Sequence, residues 1–166
     1  MTPLYWVLGL VAAQRLVELA WAARNTTRLQ QLGAIEADAA GYPFFIALHG
    51  GWLASLAWLV PAATSPSWLL LGLFALLQPG RVWVIASLGR YWTTRMLTLP
   101  AAPLVHTGPY RWFRHPNYLL VTAEIAILPL AFGAYTIAVA FSAFNLMLIA
   151  RRISIEDRVL APRREL

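Results

Sequence analysis

The chain has 166 residues, 60% of them hydrophobic and 12% charged, with a mean hydropathy of +0.61 and a formal charge of +6. Soluble domains carry about 25% charged residues, so an ordinary water-bounded domain is excluded, and the absence of cysteine excludes disulfides, thiolate metal sites and thiol nucleophiles. All 13 basic residues are arginines beside apolar runs, and no basic helix or RNA-binding signature accompanies them, so the charge points to membrane orientation and not to nucleic acid.

A hydrocarbon core of about 30 Å takes roughly 20 helical residues to cross. Residues 3–23 meet that length, with Gln14, Arg15 and Glu18 inside, and read as a true span instead of a cleavable signal. Arg15 and Glu18, three apart, are expected to neutralise one another. Residues 43–62 form a second span enclosing His49, which suits either a hydrogen-bonded bundle histidine or a substrate contact. Residues 67–88 form a third, with a kink expected at Gln78-Pro79-Gly80-Arg81. Residues 89–117 lack helical periodicity and read as a polar-aromatic loop at the membrane face. Residues 118–150 are apolar except for Glu124 and Asn145, and Pro129 and Gly133 predict a turn between two short halves of a helical hairpin. Glu124 is expected to pair with Arg81 or Arg95 or to line a substrate tunnel. The charged tail, 151–166, is expected to start helical and then fray.

These segments predict an all-α, polytopic integral membrane protein of about five transmembrane helices. It forms one domain over 1–166: three N-terminal spans (1–88), a loop (89–117), a hairpin (118–150) and a tail. With the N-terminus outside, Arg24, Arg28, Arg90, Arg95, Arg111, Arg114, Arg151, Arg152, Arg158, Arg163 and Arg164 share one side, and the opposite loops near 62–66 and 131–135 carry no charge. The positive-inside rule makes the arginine-rich face cytoplasmic. His49, His106 and His115 are far apart without carboxylate clusters, so no metal site is expected.

Two polar segments can carry chemistry. In Leu104–Tyr118 (LVHTGPYRWFRHPNY), Gly108-Pro109 and Pro116 bend the chain twice. Tyr110, Trp112, Phe113 and Tyr118 are expected to wall a pocket suited to an aromatic, cationic ligand, although the same residues also compose an interfacial anchor. In the second, Arg152 and Glu156 are four apart on one helix face. Glu156 suits a ligand cation or ribose hydroxyl and Arg152 a substrate anion, unless the two simply pair.

The segment LVHTGPYRWFRHPNY, followed by a helical hairpin and an RxxxE pattern, resembles the isoprenylcysteine carboxyl methyltransferase family over roughly residues 78–160. The resemblance implies a membrane methyltransferase using S-adenosylmethionine. Leu104, Val105 and Tyr110 then line the cofactor pocket, His115, Pro116, Asn117 and Tyr118 contact the cofactor, and Glu156 holds its polar part. Arg152 faces the lipid substrate, with His49 and Glu124 as further substrate-side residues. The N-terminal half, with Gln14-Arg15-Leu16-Val17-Glu18-Leu19, Gly33-Ala34-Ile35-Glu36 and Tyr42-Pro43, is similar to small bacterial members, some of which O-methylate alkylpyrones or alkylresorcinols.

On this reading the acceptor is a lipophilic small molecule arriving from the bilayer, and the enzyme sits in the bacterial inner membrane. Arg152 and His115 are the residues expected to act on the reaction. Arg152 favours the ionised acceptor, and no dedicated general base is expected. Two other activities share features of the pattern: an NADPH-dependent lipid or sterol-type reductase, whose Arg/His-Pro-Asn-Tyr segment is similar, and a phospholipid N-methyltransferase. A homo-oligomer is compatible with all of them.

Overall fold

The computed structural model describes residues 2–100 and 102–164, with side chains up to residue 161; the side chains of Arg163 and Arg164 lie outside the described residues. Five α-helices dominate these residues: α1 (Pro3–Gln31), α2 (Tyr42–Leu59), α3 (Trp68–Leu88), α4 (Pro116–Ala131) and α5 (Tyr135–Arg164). Between them lie 3-10 turns at Gly89–Tyr91 and Gly108–Arg111 and a two-stranded antiparallel pair, β1 (Ile35–Glu36) and β2 (Leu97–Thr98). Helices α1, α2 and α4 carry proline in their first turn, where the missing N–H has no helical partner to lose. Helix α4 ends in a left-handed Gly133 (φ +67°). There Ala134 N donates to Pro129 O and Gly133 N to Leu130 O, so the last carbonyls are satisfied before α5 begins.

Three helices are long and apolar enough to cross a membrane: Pro3–Gln31, the helical stretch Trp68–Tyr91, and Tyr135–Ala161. A polytopic membrane bundle is thus borne out, with three of the five expected spans meeting that length and apolarity. Helix α2 has 18 residues and α4 has 16, about 27 and about 24 Å at 1.5 Å per residue, which puts α2 at the lower end of the spanning range and α4 just below it. Away from the arginine-rich ends the outward faces carry large apolar side chains: Trp58, Leu69, Leu76 and Val139 are each more than 70% exposed, as lipid contact requires and water contact would penalise.

Several boundaries differ from those read in the sequence. Helix α1 continues two turns past residue 23, and α5 runs unbroken through the charged tail to Arg164. Helix α3 is not broken at Pro79; Gln78 Nε2 donates to the Phe74 carbonyl beside it (3.0 Å). The hydrophobic core lies at one end, built from Leu4, Leu8 and Val11 of α1, Leu48, Trp52 and Leu56 of α2, and Val121, Ile125 and Leu128 of α4. Each set recurs at three- and four-residue spacing, one stripe per helix. The arginine-rich ends of the helices gather at the other end.

Candidate active site

At the arginine-rich end, the loops between helices are fastened to one another by polar contacts. Asn25 Nδ2 of α1 donates to the carbonyls of Gly89 (3.1 Å) and Trp92 (2.8 Å), holding the turn after α3. Arg95 Nη1 donates to both carboxylate oxygens of Glu36 (2.9 and 3.1 Å) and its guanidinium lies over the Tyr42 ring. Arg151 grips Asp38 through both terminal nitrogens (2.7 and 2.9 Å), and the Gly41 amide donates to the same carboxylate. The Arg151 hydrogen bonds hold the Asp38 carboxyl below its usual range against the opposing effect of burial.

The segment before α4 is pressed against α3. Gly108 has φ +58°, and a Cβ there would collide with the Ser87 side chain, so only glycine fits. The turn it makes delivers Tyr110 and His115 to the head of α4, opposite Arg152 and Glu156 of α5. Tyr118 Oη donates to Glu156 Oε2 (2.7 Å). The His115 ring stacks on Tyr118 with centroids 5.3 Å apart and planes at 16°, its Nδ1 3.6 Å from Glu156 and its Nε2 3.9 Å from Asp157. Burial, reinforced by the Glu156 carboxylate, raises the pKa of the Tyr110 phenol and keeps it protonated. Among the described residues no ion pair joins Arg152 to Glu156. Arg152 instead donates to the Thr94 carbonyl (3.1 Å) and its guanidinium lies 5.0 Å from the Phe45 ring centre and 5.9 Å from that of Tyr118.

These groups line the mouth of one cavity of about 580 Å³, within the size range of small-molecule and cofactor sites. Leu104, Val105, Tyr110, His115, Asn117, Tyr118, Arg152, Glu156 and His49 all face it. Of the other residues singled out in the sequence, Pro116 is buried at the start of α4 and Glu124 is fully buried; neither lines the cavity. Trp112 and Phe113 are also outside it, 62% and 53% exposed, with Trp112 edge-on to Trp83. The aromatic segment therefore divides, Tyr110 and Tyr118 inward, Trp112 and Phe113 outward at the interface. Two buried polar atoms near the mouth, Asn117 Oδ1 and Arg152 Nε, have no hydrogen-bond partner among the described residues. His49 Nδ1 sits 2.8 Å from the Phe45 carbonyl. A carbonyl only accepts, so Nδ1 carries the proton and Nε2 remains an acceptor.

The cavity floor borders a buried ion quartet. Arg15 bonds Glu18 (3.0 Å) and Glu124 (2.6 Å), and Arg81 bonds the same two carboxylates (2.6 and 3.1 Å). Gln14 donates to Glu18 and Gln78 to Glu124. Arg15 and Glu18 do pair, as their spacing predicted, but each also bonds across to another helix. Glu124 takes Arg81 and Arg15, while Arg95 is held by Glu36. Phe45 and Thr94, which fix Arg152, were not singled out in the sequence; the spacing Phe45/His49 on one helix face was the available signal for the first.

The family model of isoprenylcysteine carboxyl methyltransferases (ICMT) matches residues 70–162, which is α3 through α5 with every mouth residue from Leu104 to Glu156. The chain belongs to the ICMT family. ICMT membership makes it a membrane methyltransferase by class and accounts for an apolar helical bundle carrying polar chemistry at one end. A relative, the uncharacterized protein YpbQ of Bacillus subtilis (strain 168), is 38% identical over 162 residues, 95% of this chain and 96% of YpbQ. The likeness thus extends through α1 and α2, beyond the part matched by the ICMT model. No solved structure matches the chain.

Proposed function

We propose that the protein is an S-adenosylmethionine-dependent O-methyltransferase of the bacterial inner membrane, with its N-terminus outside and its active site at the cytoplasmic face. The acceptor is a lipophilic molecule reached from the bilayer: the carboxylate of a prenylcysteine-like lipid or the hydroxyl of an alkylpyrone or alkylresorcinol. The observation that carries this reading is one cavity whose mouth brings the Glu156 carboxylate and the Arg152 guanidinium of α5 together with the Tyr118 and His115 rings. When bound, S-adenosylmethionine supplies an activated methyl group on a sulfonium. The residues present fit it: Glu156 and the Tyr118 and His115 rings favour a cation, and the unpartnered Asn117 Oδ1 can accept from an amino group.

Arg152 belongs to the acceptor side. Its guanidinium is fixed by Thr94, Phe45 and Tyr118, and favours an acceptor oxygen in its ionised form. A carboxylate has no proton to lose, and a phenol or enol ionised beside Arg152 needs no dedicated base. The residues then act mainly by alignment, which can lower a barrier by up to about 7–11 kcal/mol. The same charge opposes a cationic amine acceptor.

Calorimetric titration of S-adenosylmethionine into the detergent-solubilised protein tests the reading. Binding that weakens in both Glu156→Ala and Tyr110→Ala is expected. No binding by a well-folded wild type, or binding of NADPH in its place, overturns it.

A further inference from the structure

Below its mouth the cavity continues as a groove between α1 and α2. Ala12, Leu16 and Leu19 line it from α1, and Ile46, Gly50 and Leu53 from α2. Each set is spaced four and then three, so each helix turns one face to the groove. The groove opens sideways at membrane depth, where Leu16 is 66% and Ile46 55% exposed. From Tyr42 to Leu53, both on the cavity wall, the path is about 16 Å at 1.5 Å per residue.

The two central glycines of α2 do different things. A Cβ on Gly51 would lie 3.6 Å from the Phe141 ring, in ordinary packing with α5, whereas a Cβ on Gly50 would meet nothing within 4 Å. Glycine inside a helix is destabilising relative to alanine, and no neighbouring protein atom requires it at Gly50. Space at that point is instead continuous with the cavity.

We propose that the α1/α2 groove holds the alkyl chain of the methyl acceptor and that Gly50 is a specificity-determining residue, its missing side chain setting the clearance for that chain. This rests on the proposed methyl transfer for the identity of the acceptor, but not for the occupancy of the groove. Lipid is the medium at this depth, and a chain already in lipid gains no hydrophobic free energy by moving into the groove. Selection must therefore come from shape, and a side chain at position 50 excludes a tail by filling its path.

The test uses a 5-alkylresorcinol with a diazirine at the end of its chain, photolysed with the full-length protein in lipid nanodiscs, and labelled peptides mapped by mass spectrometry. Labelling is expected within 12–19 and 46–53, reduced at least tenfold in Gly50→Phe and unchanged in Ala47→Phe, an exposed position on the same helix outside the cavity. Labelling elsewhere on the lipid-facing surface, or labelling of the groove that Gly50→Phe leaves unchanged in a folded sample, overturns the proposal. The readout needs neither cofactor nor turnover. Failure of S-adenosylmethionine to bind would sink the proposed activity while leaving this result standing.

Discussion

Arg152 is held by a carbonyl and two aromatic rings, and among the described residues no carboxylate pairs with it, so its charge faces the acceptor side. A lysine in its place keeps the charge but loses the planar face and the fixed fork of donors. We expect Arg152→Lys to lower kcat/KM at least tenfold, about 1.4 kcal/mol or more, with little effect on calorimetric S-adenosylmethionine affinity. Equal losses in both would place Arg152 in the cofactor site. His115 stacks on Tyr118 without a carboxylate inside 3.5 Å. With a phenolic acceptor, the pH profile of kcat/KM should follow the acceptor's own ionisation and keep its shape in His115→Ala. A pKa that vanishes in that variant would identify His115 as the base. Most of these groups were legible because they are crowded into fifteen consecutive residues and one RxxxE turn. Which aromatics turn inward was not, since that depends on where Gly108 presses the chain against Ser87 and Trp83.

The helices are joined by charge as much as by packing. Glu18 of α1, Arg81 of α3 and Glu124 of α4 are at most 8% exposed, and deleting one member of a buried ion pair costs about 3–5 kcal/mol because the partners stay buried and unpaired. Glu124→Ala should therefore destabilise the protein by about that amount, read as a lowered thermal midpoint in detergent; adding Arg81→Met should recover part of the loss. A second clasp, Asp38 to Arg151, ties the loop before α2 to α5. The folded Asp38 pKa is depressed, so the clasp stabilises fully above the carboxyl's unfolded pKa and its contribution is lost as pH falls through the lower, folded one. Hydrogen exchange at the Gly41 amide should accelerate in that acid window in the wild type, and Asp38→Asn should remove the dependence. Hydropathy revealed the apolar stretches but not the last two turns of α1. There Arg24-Asn25-Thr26-Thr27-Arg28 reads as a polar loop, yet Asn25 is buried because its amide caps carbonyls more than sixty residues away.

Across the whole molecule, polarity is divided between two ends. The arginine-rich loops converge on the cavity mouth, and the connections near 62–66 and 131–135 are uncharged. The chain has no cysteine, so single cysteines report topology directly. In intact cells an impermeant maleimide should label Thr64→Cys and spare Arg158→Cys, and permeabilisation should expose the second. The reverse pattern would invert the orientation. Counting apolar stretches was enough to recognise a membrane bundle. Three helices meet the length and apolarity of a crossing on their own; α2 and α4 are shorter, and the sidedness of the 62–66 and 131–135 connections tests whether they cross as well.

The ion quartet also bears on how the chain is made. The apolar part of α1, residues 3–23, brings an arginine and a glutamate three residues apart and can enter the bilayer with its charges balanced. Helix α3 brings Arg81 alone, and α4 brings Glu124 alone. A lone charge at the centre of a membrane helix costs about 2.5–3.5 kcal/mol on translocon insertion scales. Newly inserted α3 therefore has reason to stay beside α1, with Arg81 sharing Glu18, until α4 arrives to complete the charge balance. A nascent chain halted before residue 116 should thus remain associated with the insertion machinery longer than one halted after residue 131.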